Sequence, residues 1–155
     1  MNNDFYVAPH LRYSEIVSPD NDTGALTLDL LEAWVKLRGA LGVPIRLTSA
    51  YRSIEYNRRV AGSPNSQHLL GRAIDIIVPN VNLDTPEWLE VFFECGFVGI
   101  GRGGGITHLD VREHGSGLWR YTGASRVPDE AGREAYERFA SRDDMGLATG
   151  PRTTR

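Results

Sequence analysis

Residues 73–78, Ala-Ile-Asp-Ile-Ile-Val, form the segment that most constrains how this chain can fold. Because side chains alternate between the two faces of a strand, apolar residues at nearly every position predict a central strand covered on both faces. Asp75 is the exception in this run. An ionised carboxylate among isoleucines is costly unless it is paired with a cation or coordinated to a metal. The run therefore predicts a buried strand and a partner for Asp75.

Two histidines flank Asp75 at places that suit a metal site. His68 precedes it in the string Ser-Gln-His-Leu-Leu-Gly-Arg-Ala-Ile-Asp (66–75), and His108 follows it in Thr-His-Leu-Asp (107–110). Two histidines and one carboxylate form a ligand set that catalytic zinc uses while one coordination position stays open for water. Zinc lowers the pKa of a water in that position to near neutral, so that it can attack an amide. The set therefore indicates a metallohydrolase.

The alternative is that these histidines bind nothing, as is true of most histidines in a chain of this length. The surrounding residues favour the metal site. Gly71 and Ala73 are small and leave space between the first two candidate ligands. His108 and Asp110 alternate with apolar neighbours, so on a strand both side chains face the same way.

Composition excludes several other classes of protein. A length of 155 residues with 41% hydrophobic content predicts one compact domain. A net charge of -3 gives no electrostatic indication of binding to nucleic acid or an anionic membrane. The one cysteine, Cys95, excludes an intramolecular disulfide and a zinc site closed by thiolates. No apolar stretch is long enough to span a bilayer, and the N-terminus lacks the pattern of a secretory signal. These features predict synthesis as a soluble cytoplasmic product.

Periodicity and turn residues predict the remaining elements. The expected helices cover 28–41, 53–60 (closed by Gly62), 85–95 and 128–145, and the expected strands cover 44–49, 73–78, 97–100 and 106–111. The last two strands form a hairpin around the glycine-rich residues 101–105. Residues 149–155 are expected to be disordered.

Three motifs resemble those of the D-alanyl-D-alanine carboxypeptidase-type zinc peptidases. They are Ser-Ala-Tyr-Arg-Ser at 49–53, Ser-x-His-x-x-Gly-x-Ala-x-Asp at 66–75, and His-Leu-Asp at 108–110. The family includes bacterial D,D-carboxypeptidases, D,D-dipeptidases and phage endolysins, which share the hedgehog-type fold. The resemblance implies a single-domain α+β fold, with a small, mostly antiparallel sheet flanked by helices. We expect a zinc peptidase domain at 1–125 and a polar helix with a disordered tail at 126–155.

The resemblance also implies roles for individual residues. Zinc is expected on His68, Asp75 and His108, and Arg52 is expected to bind a substrate carboxylate or backbone carbonyl, since a guanidinium offers bidentate donors. The alternative for Arg52 is a structural salt bridge. Ser66 and Gln67 are candidates for binding substrate or orienting the ligands, and the alternative is that they only complete the loop.

The general base is where this chain departs from the family pattern. Many relatives carry an acid three residues, or a histidine two residues, before the last zinc ligand. Here Gly105 and Ile106 stand in those places, and neither can move a proton. Asp110 is the nearest catalytic candidate, and some members share this His-x-Asp form. The alternative is that Asp110 accepts a hydrogen bond from a ligand histidine.

Two functions follow from these observations. The first is a zinc peptidase that cuts peptidoglycan stem peptides or cross-links, as a D,D-carboxypeptidase or endopeptidase. Without a signal peptide it is expected to be a phage or prophage lysis enzyme that reaches the cell wall after release. The second is a virion-associated structural or interaction protein on the same fold, with weak or no catalysis, which binds a partner or itself through the polar C-terminal tail.

Overall fold

The structure of the protein, a computed structural model, describes residues 4–144. Its strands are β1 (Tyr6–Ala8), β2 (Leu11–Arg12), β3 (Arg46–Ser49), β4 (Ala73–Ile77), β5 (Gly99–Arg102), β6 (Thr107–Asp110), β7 (Gly117–Thr122) and β8 (Ser125–Pro128). Its helices are α1 (Tyr13–Ile16), α2 (Leu28–Leu41), α3 (Ile54–Arg59), α4 (Pro86–Cys95) and α5 (Glu130–Asp144), and a 3₁₀ helix covers Gln67–Leu70.

Six of these strands form the main sheet, in the order β3-β4-β6-β5-β7-β8, while β1 and β2 form a separate hairpin. All neighbours in the main sheet are antiparallel except β5 and β7, which run parallel. The predicted α+β class with a mostly antiparallel sheet and flanking helices is therefore confirmed. No helix within residues 4–144 is long and apolar enough to cross a bilayer.

Strand β4 lies between β3 and β6, as its apolar sequence predicts. Ile74 and Ile76 point to one face and are almost fully buried in the main hydrophobic core. The core residues contributed by helices α2 and α4 include Leu30, Trp34, Leu37, Leu89 and Phe92. Asp75 points to the opposite face of the sheet, where it lines an open cleft. One face of β4 therefore carries the core and the other carries the candidate site.

Capping residues determine where the two helices that cover the sheet, α2 and α4, begin and end. Helix α2 begins where the Thr27 hydroxyl accepts a hydrogen bond from the Leu30 amide, and it ends at Gly42. Helix α4 begins with Pro86 and ends at Gly96. Both terminal glycines adopt a left-handed conformation, with φ of 65° and 103°, which favours glycine over other residues. These ends agree with the predicted helices 28–41 and 85–95.

The predicted hairpin is present, but its glycine-rich turn is shorter than expected. Strand β5 extends through Gly101 and Arg102, which the sequence placed in the loop. The Arg102 side chain is buried because Asp129 and Asp84 accept hydrogen bonds from its guanidinium. Helix α3 ends at Arg59, one residue before the expected end, and its C-cap is Val60 rather than Gly62.

The segment after residue 116 continues the sheet and then covers one helix. Strand β7 joins β5 and pairs with β8, and neither strand was predicted from this polar stretch. Helix α5 packs on α4, where the ring of Phe93 lies 5.4 Å from Tyr136 and 5.7 Å from Phe139. The expected division at residue 125 falls within β8 and stays a prediction. The expected disorder of residues 149–155 lies outside the described residues.

Candidate metal centre

Three side chains converge on the open face of the sheet. Asp75 in β4 lies directly opposite His108 in β6, and His68 comes from the 3₁₀ helix that precedes β4. Oδ1 of Asp75 is 2.9 Å from Nδ1 of His108 and 3.2 Å from Nε2 of His68. One potential ligand atom from each residue lies within 4.8 Å of the other two. The spacing of the motifs therefore brings the predicted ligand set together.

The position of His68 is fixed by the short loop that carries it. The Ser66 hydroxyl accepts a hydrogen bond from the His68 amide at 3.3 Å, and the 3₁₀ helix ends at Gly71. Gly71 has a φ of 66°, and a side chain there would overlap the carbonyl oxygen of Ala25. Nδ1 of His68 lies 2.6 Å from the carbonyl oxygen of Ala50. Because a carbonyl only accepts, Nδ1 carries a proton, and Nε2 is the nitrogen that faces Asp75.

His108 is held from its other side by Asp110, two residues along the same strand. Nε2 of His108 lies 2.9 Å from Oδ2 of Asp110, while Nδ1 faces Asp75. A carboxylate beside one ring nitrogen favours a proton on that nitrogen. Asp75 lies beside the other nitrogen, and although burial lowers the pKa of His108, its hydrogen bonds to Asp110 and Asp75 outweigh burial and raise that pKa. A metal bound through Nδ1 would take the place of the proton shared with Asp75, while Nε2 would keep its bond to Asp110.

The carboxylate of Asp110 is fully buried and has no unused acceptor position. A carboxylate offers about four lone-pair positions. Oδ1 accepts from the backbone amide and Nε of Arg112, and Oδ2 accepts from NH2 of Arg112 and Nε2 of His108. Gly99 leaves the space that this carboxylate fills, since a side chain there would overlap it.

Burial and hydrogen bonding act in opposite directions on the titrating groups. Burial raises the pKa values of Asp75 and Asp110, but hydrogen bonds outweigh this effect. Hydrogen bonds from His108 and His68 hold the pKa of Asp75 well below its usual range. Hydrogen bonds from Arg112 and His108 lower the pKa of Asp110 to about 2. Burial lowers the pKa of His68. Both aspartates are therefore ionised at neutral pH, and Asp75 faces the histidines as an anion.

A cleft of about 400 Å³ opens above these residues. All seven residues that the sequence singled out line it, namely Arg52, Ser66, Gln67, His68, Asp75, His108 and Asp110. Arg52 donates from NH2 to Oδ2 of Asp75 at 3.0 Å and from Nε to the Ser49 hydroxyl at 2.9 Å. The structural alternative for Arg52, a salt bridge, is thus present, and NH1 is the nitrogen left for a ligand.

Sequence reasoning missed four large side chains that also line the cleft: Arg112, Trp119, Tyr121 and Arg126. The Trp119 ring packs beside His108, with 5.0 Å between the ring centroids. Two signals were present in the sequence. Arg112 follows Asp110 with the spacing of side chains on one strand face, and Trp119 and Tyr121 have the same spacing.

The donor set fits a zinc ion. Imidazole nitrogen and carboxylate oxygen are both common zinc ligands, and three protein ligands are the number found in catalytic sites. His68 and His108 each direct one ring nitrogen toward the ionised Asp75, and each has its other ring nitrogen held by an acceptor. Held ring nitrogens of this kind are typical of metal-binding histidines.

Comparison with known proteins agrees with this geometry. The family model described as Peptidase M15 matches residues 9–110, which include all three candidate ligands. No match was found among curated proteins. The matched region covers more than half of the chain. This chain therefore belongs to the peptidase M15 family, the zinc-dependent peptidases of the D-alanyl-D-alanine carboxypeptidase type.

Proposed function

We propose that this protein is a zinc peptidase that cleaves peptidoglycan peptides, as a D,D-carboxypeptidase or an endopeptidase in phage or prophage lysis. The observation that carries the proposal is the convergence of His68, Asp75 and His108 on the floor of a cleft that also contains Arg52. Membership of the M15 family supports the reaction class.

The ligand atoms follow from the hydrogen bonds of each ring. His68 would hold zinc through Nε2 and His108 through Nδ1, because the opposite nitrogens face Ala50 and Asp110. Asp75 would supply Oδ1. Zinc bound there would act as a Lewis acid toward the scissile carbonyl and lower the pKa of a bound water.

Arg52 combines two tasks in this proposal. Its NH2 and Nε groups are used to hold Asp75 and to bond Ser49, which fixes the guanidinium at the edge of the cleft. NH1 is then directed to the substrate, where it donates to a carboxylate or a carbonyl oxygen. Gln67 lines the same cleft, and we assign it a hydrogen bond to the substrate backbone.

Asp110 acts through His108. A general base needs a lone pair that faces the substrate water, whereas both Asp110 oxygens already accept from His108 and Arg112. Of the two roles that the sequence left open, the orientation of His108 is the one this geometry favours. Asp110 is therefore proposed as a positioning residue.

A second candidate function is a virion-associated structural or interaction protein with weak or no catalysis. One observation favours it. The carboxylates that line the cleft are those of Asp75 and Asp110, and both are engaged by neighbouring side chains. The same assay that tests the first function separates it from the second.

The test joins metal analysis to digestion of peptidoglycan. Protein purified without added metal is expected to hold one zinc per chain and to release peptide fragments that mass spectrometry identifies. A chelator should abolish release and added zinc restore it. His68→Gln should lose both zinc and activity, while His114→Gln, at an exposed position outside the cleft lining, should keep both. Zinc binding without any release of fragments would favour the second candidate, and absence of zinc would reject the first.

A further inference from the structure

Arg126 is placed over the aromatic residues at the far side of the cleft. Trp119 and Tyr121 lie on the same face of β7, and Arg126 is directly opposite Tyr121 on β8. The guanidinium carbon of Arg126 lies 4.9 Å from the Trp119 ring centroid and 5.6 Å from that of Tyr121. Contacts of this length between a guanidinium and aromatic rings are attractive, so they hold the side chain over the cleft.

Among the side chains that the structure describes, none neutralises the charge of Arg126. The cleft lining contains three arginines. Arg52 is paired with Asp75 and Arg112 with Asp110, whereas no carboxylate among the side chains described in residues 4–142 forms an ion pair with Arg126. Three arginines against two aspartates leave the cleft with one positive charge in excess, before any metal is added. An anionic ligand is the partner that this excess favours.

We propose that Arg126 forms a subsite for a carboxylate of the peptide substrate and so makes the enzyme prefer anionic peptides. This subsite rests on the proposed peptidase function and names a feature of its substrate. A guanidinium presents a fork of donors that matches a carboxylate. Residue 126 lies beyond the matched region 9–110, so membership of the family does not assign it a role.

The distance between Arg126 and the metal centre limits which carboxylate is bound. Trp119 separates them, with centroid distances of 5.0 Å to His108 and 4.9 Å to the guanidinium carbon. Arg126 therefore lies within roughly 10 Å of the His108 ring. An extended peptide advances about 3.3–3.6 Å per residue, so the bound carboxylate is at most about three residues from the scissile bond. Both a terminal carboxylate and an acidic side chain satisfy this limit.

Two pairs of peptides distinguish a terminal carboxylate from an acidic side chain as the group that Arg126 binds. The first pair is acetyl-D-alanyl-D-alanine and its C-terminal amide. The second pair has an amidated C-terminus and differs only in glutamate against glutamine: acetyl-D-alanyl-D-glutamate amide and acetyl-D-alanyl-D-glutamine amide. Calorimetry on the full chain after metal removal by a chelator measures binding without cleavage. Circular dichroism melting checks that each variant is folded.

In at least one pair the acid should bind the wild-type chain about 10- to 100-fold more tightly than its neutral counterpart, as expected for a charged hydrogen bond. Arg126→Gln should bring that ratio close to one without changing the affinity for the neutral peptide, and Arg126→Lys should restore it in part. Arg46→Gln, at an exposed arginine outside the cleft lining, is the matched control and should change neither affinity. The pair that responds identifies the carboxylate.

Two outcomes overturn the subsite: equal wild-type affinity for acid and neutral peptides in both pairs, or an acid preference that Arg126→Gln leaves intact. Neither outcome depends on turnover. An acid preference that requires Arg126, in a protein that releases nothing from peptidoglycan, would reject the proposed peptidase function and keep the subsite. Release of fragments by a protein whose acid preference does not require Arg126 would reject the subsite and keep the proposed peptidase function.

Discussion

Oδ2 of Asp110 lies 2.9 Å from Nε2 of His108, the ring nitrogen that does not face Asp75. The imidazole is thus held between two carboxylates, one on each nitrogen. Because Arg112 fixes Asp110 in turn, the orientation of His108 depends on a chain of contacts along the wall of the cleft. Because Asp110 is occupied by Arg112 while Asp75 also faces His68, Nδ1 is the nitrogen of His108 that is placed to bind a metal.

Asp110→Asn tests whether Asp110 positions His108 or accepts a proton. If it positions the ring, the variant should bind zinc about 10–100-fold more weakly and regain most of its activity in excess zinc. A proton acceptor would instead keep its zinc and lose about 10²–10⁴-fold in metal-saturated turnover. Zinc titration and turnover at saturating zinc, measured on one preparation, separate the two. We expect the first result, and full activity at ordinary zinc levels would exclude both roles.

Gly99→Ala tests the same contact from the neighbouring strand. The added methyl group would overlap the Asp110 carboxylate, which cannot move without breaking its bonds to Arg112 and His108. We expect a loss of about 1–3 kcal/mol in the free energy of unfolding, as for other overpacked sites, together with weaker zinc binding. Urea denaturation and zinc titration measure these effects.

Gly39→Ala is the matched control for this substitution. Gly39 lies within α2, and a methyl group there meets no atom within 4 Å. Alanine in a helix interior should stabilise the protein by about 0.5–1 kcal/mol. A Gly99→Ala variant as stable as this control, with unchanged zinc affinity, would show that the carboxylate is not confined as described.

Local patterns account for the parts of the site that the sequence predicted. The apolar run around Asp75 identified β4, and alternation around His108 identified its strand face, because both signals lie within a few residues. The ligand set followed from these strands and from the motif that contains His68. The structure brings all three together as expected.

The parts that were missed depend on partners remote in the chain. The glycine-rich sequence predicts a loop position for Arg102, yet it is a buried strand residue because Asp129, 27 positions later, accepts its hydrogen bonds. In β7 the alternation is confined to Trp119 and Tyr121, and β8 is exposed throughout, so neither strand shows the longer alternation that marks a half-buried strand. The pairing of β7 with β5, and of β8 with β7, is set by register across the sheet, which no local window of sequence contains.

Arg52→Lys tests the fork of donors at the edge of the cleft. A lysine ammonium is a point charge and cannot bond Ser49, Asp75 and the substrate in the geometry of a guanidinium. We expect a loss of catalytic efficiency of about 10-fold or more, and we expect Arg52→Ala to lose at least as much. Steady-state kinetics at saturating zinc measure this effect. A fully active Arg52→Ala variant would show that Arg52 is only a structural partner of Asp75.

The buried pair of Arg102 and Asp129 gives a prediction for stability rather than catalysis. Both residues are only 4% exposed, and the guanidinium donates from Nε and NH2 to the two carboxylate oxygens. Asp129→Ala leaves a buried cation without its main partner, although Asp84 still accepts from NH1. We expect the free energy of unfolding to fall by about 3–5 kcal/mol, as measured by urea denaturation.

Replacing both residues separates the cost of leaving the Arg102 cation buried without a partner from the loss of its attraction to Asp129. Arg102→Met combined with Asp129→Leu removes both charges and keeps apolar volume, so it should recover most of the stability that Asp129→Ala loses. Arg133→Ala is the surface control, because its ion pairs with Glu130 and Glu137 are exposed and should matter little. Unfolding of Asp129→Ala at the same urea concentration as Arg133→Ala would contradict this prediction. It would mean that the buried pair of Arg102 and Asp129 does not hold the start of α5 against β5. The contacts of Phe93 with Tyr136 and Phe139 would then hold the C-terminal segment instead.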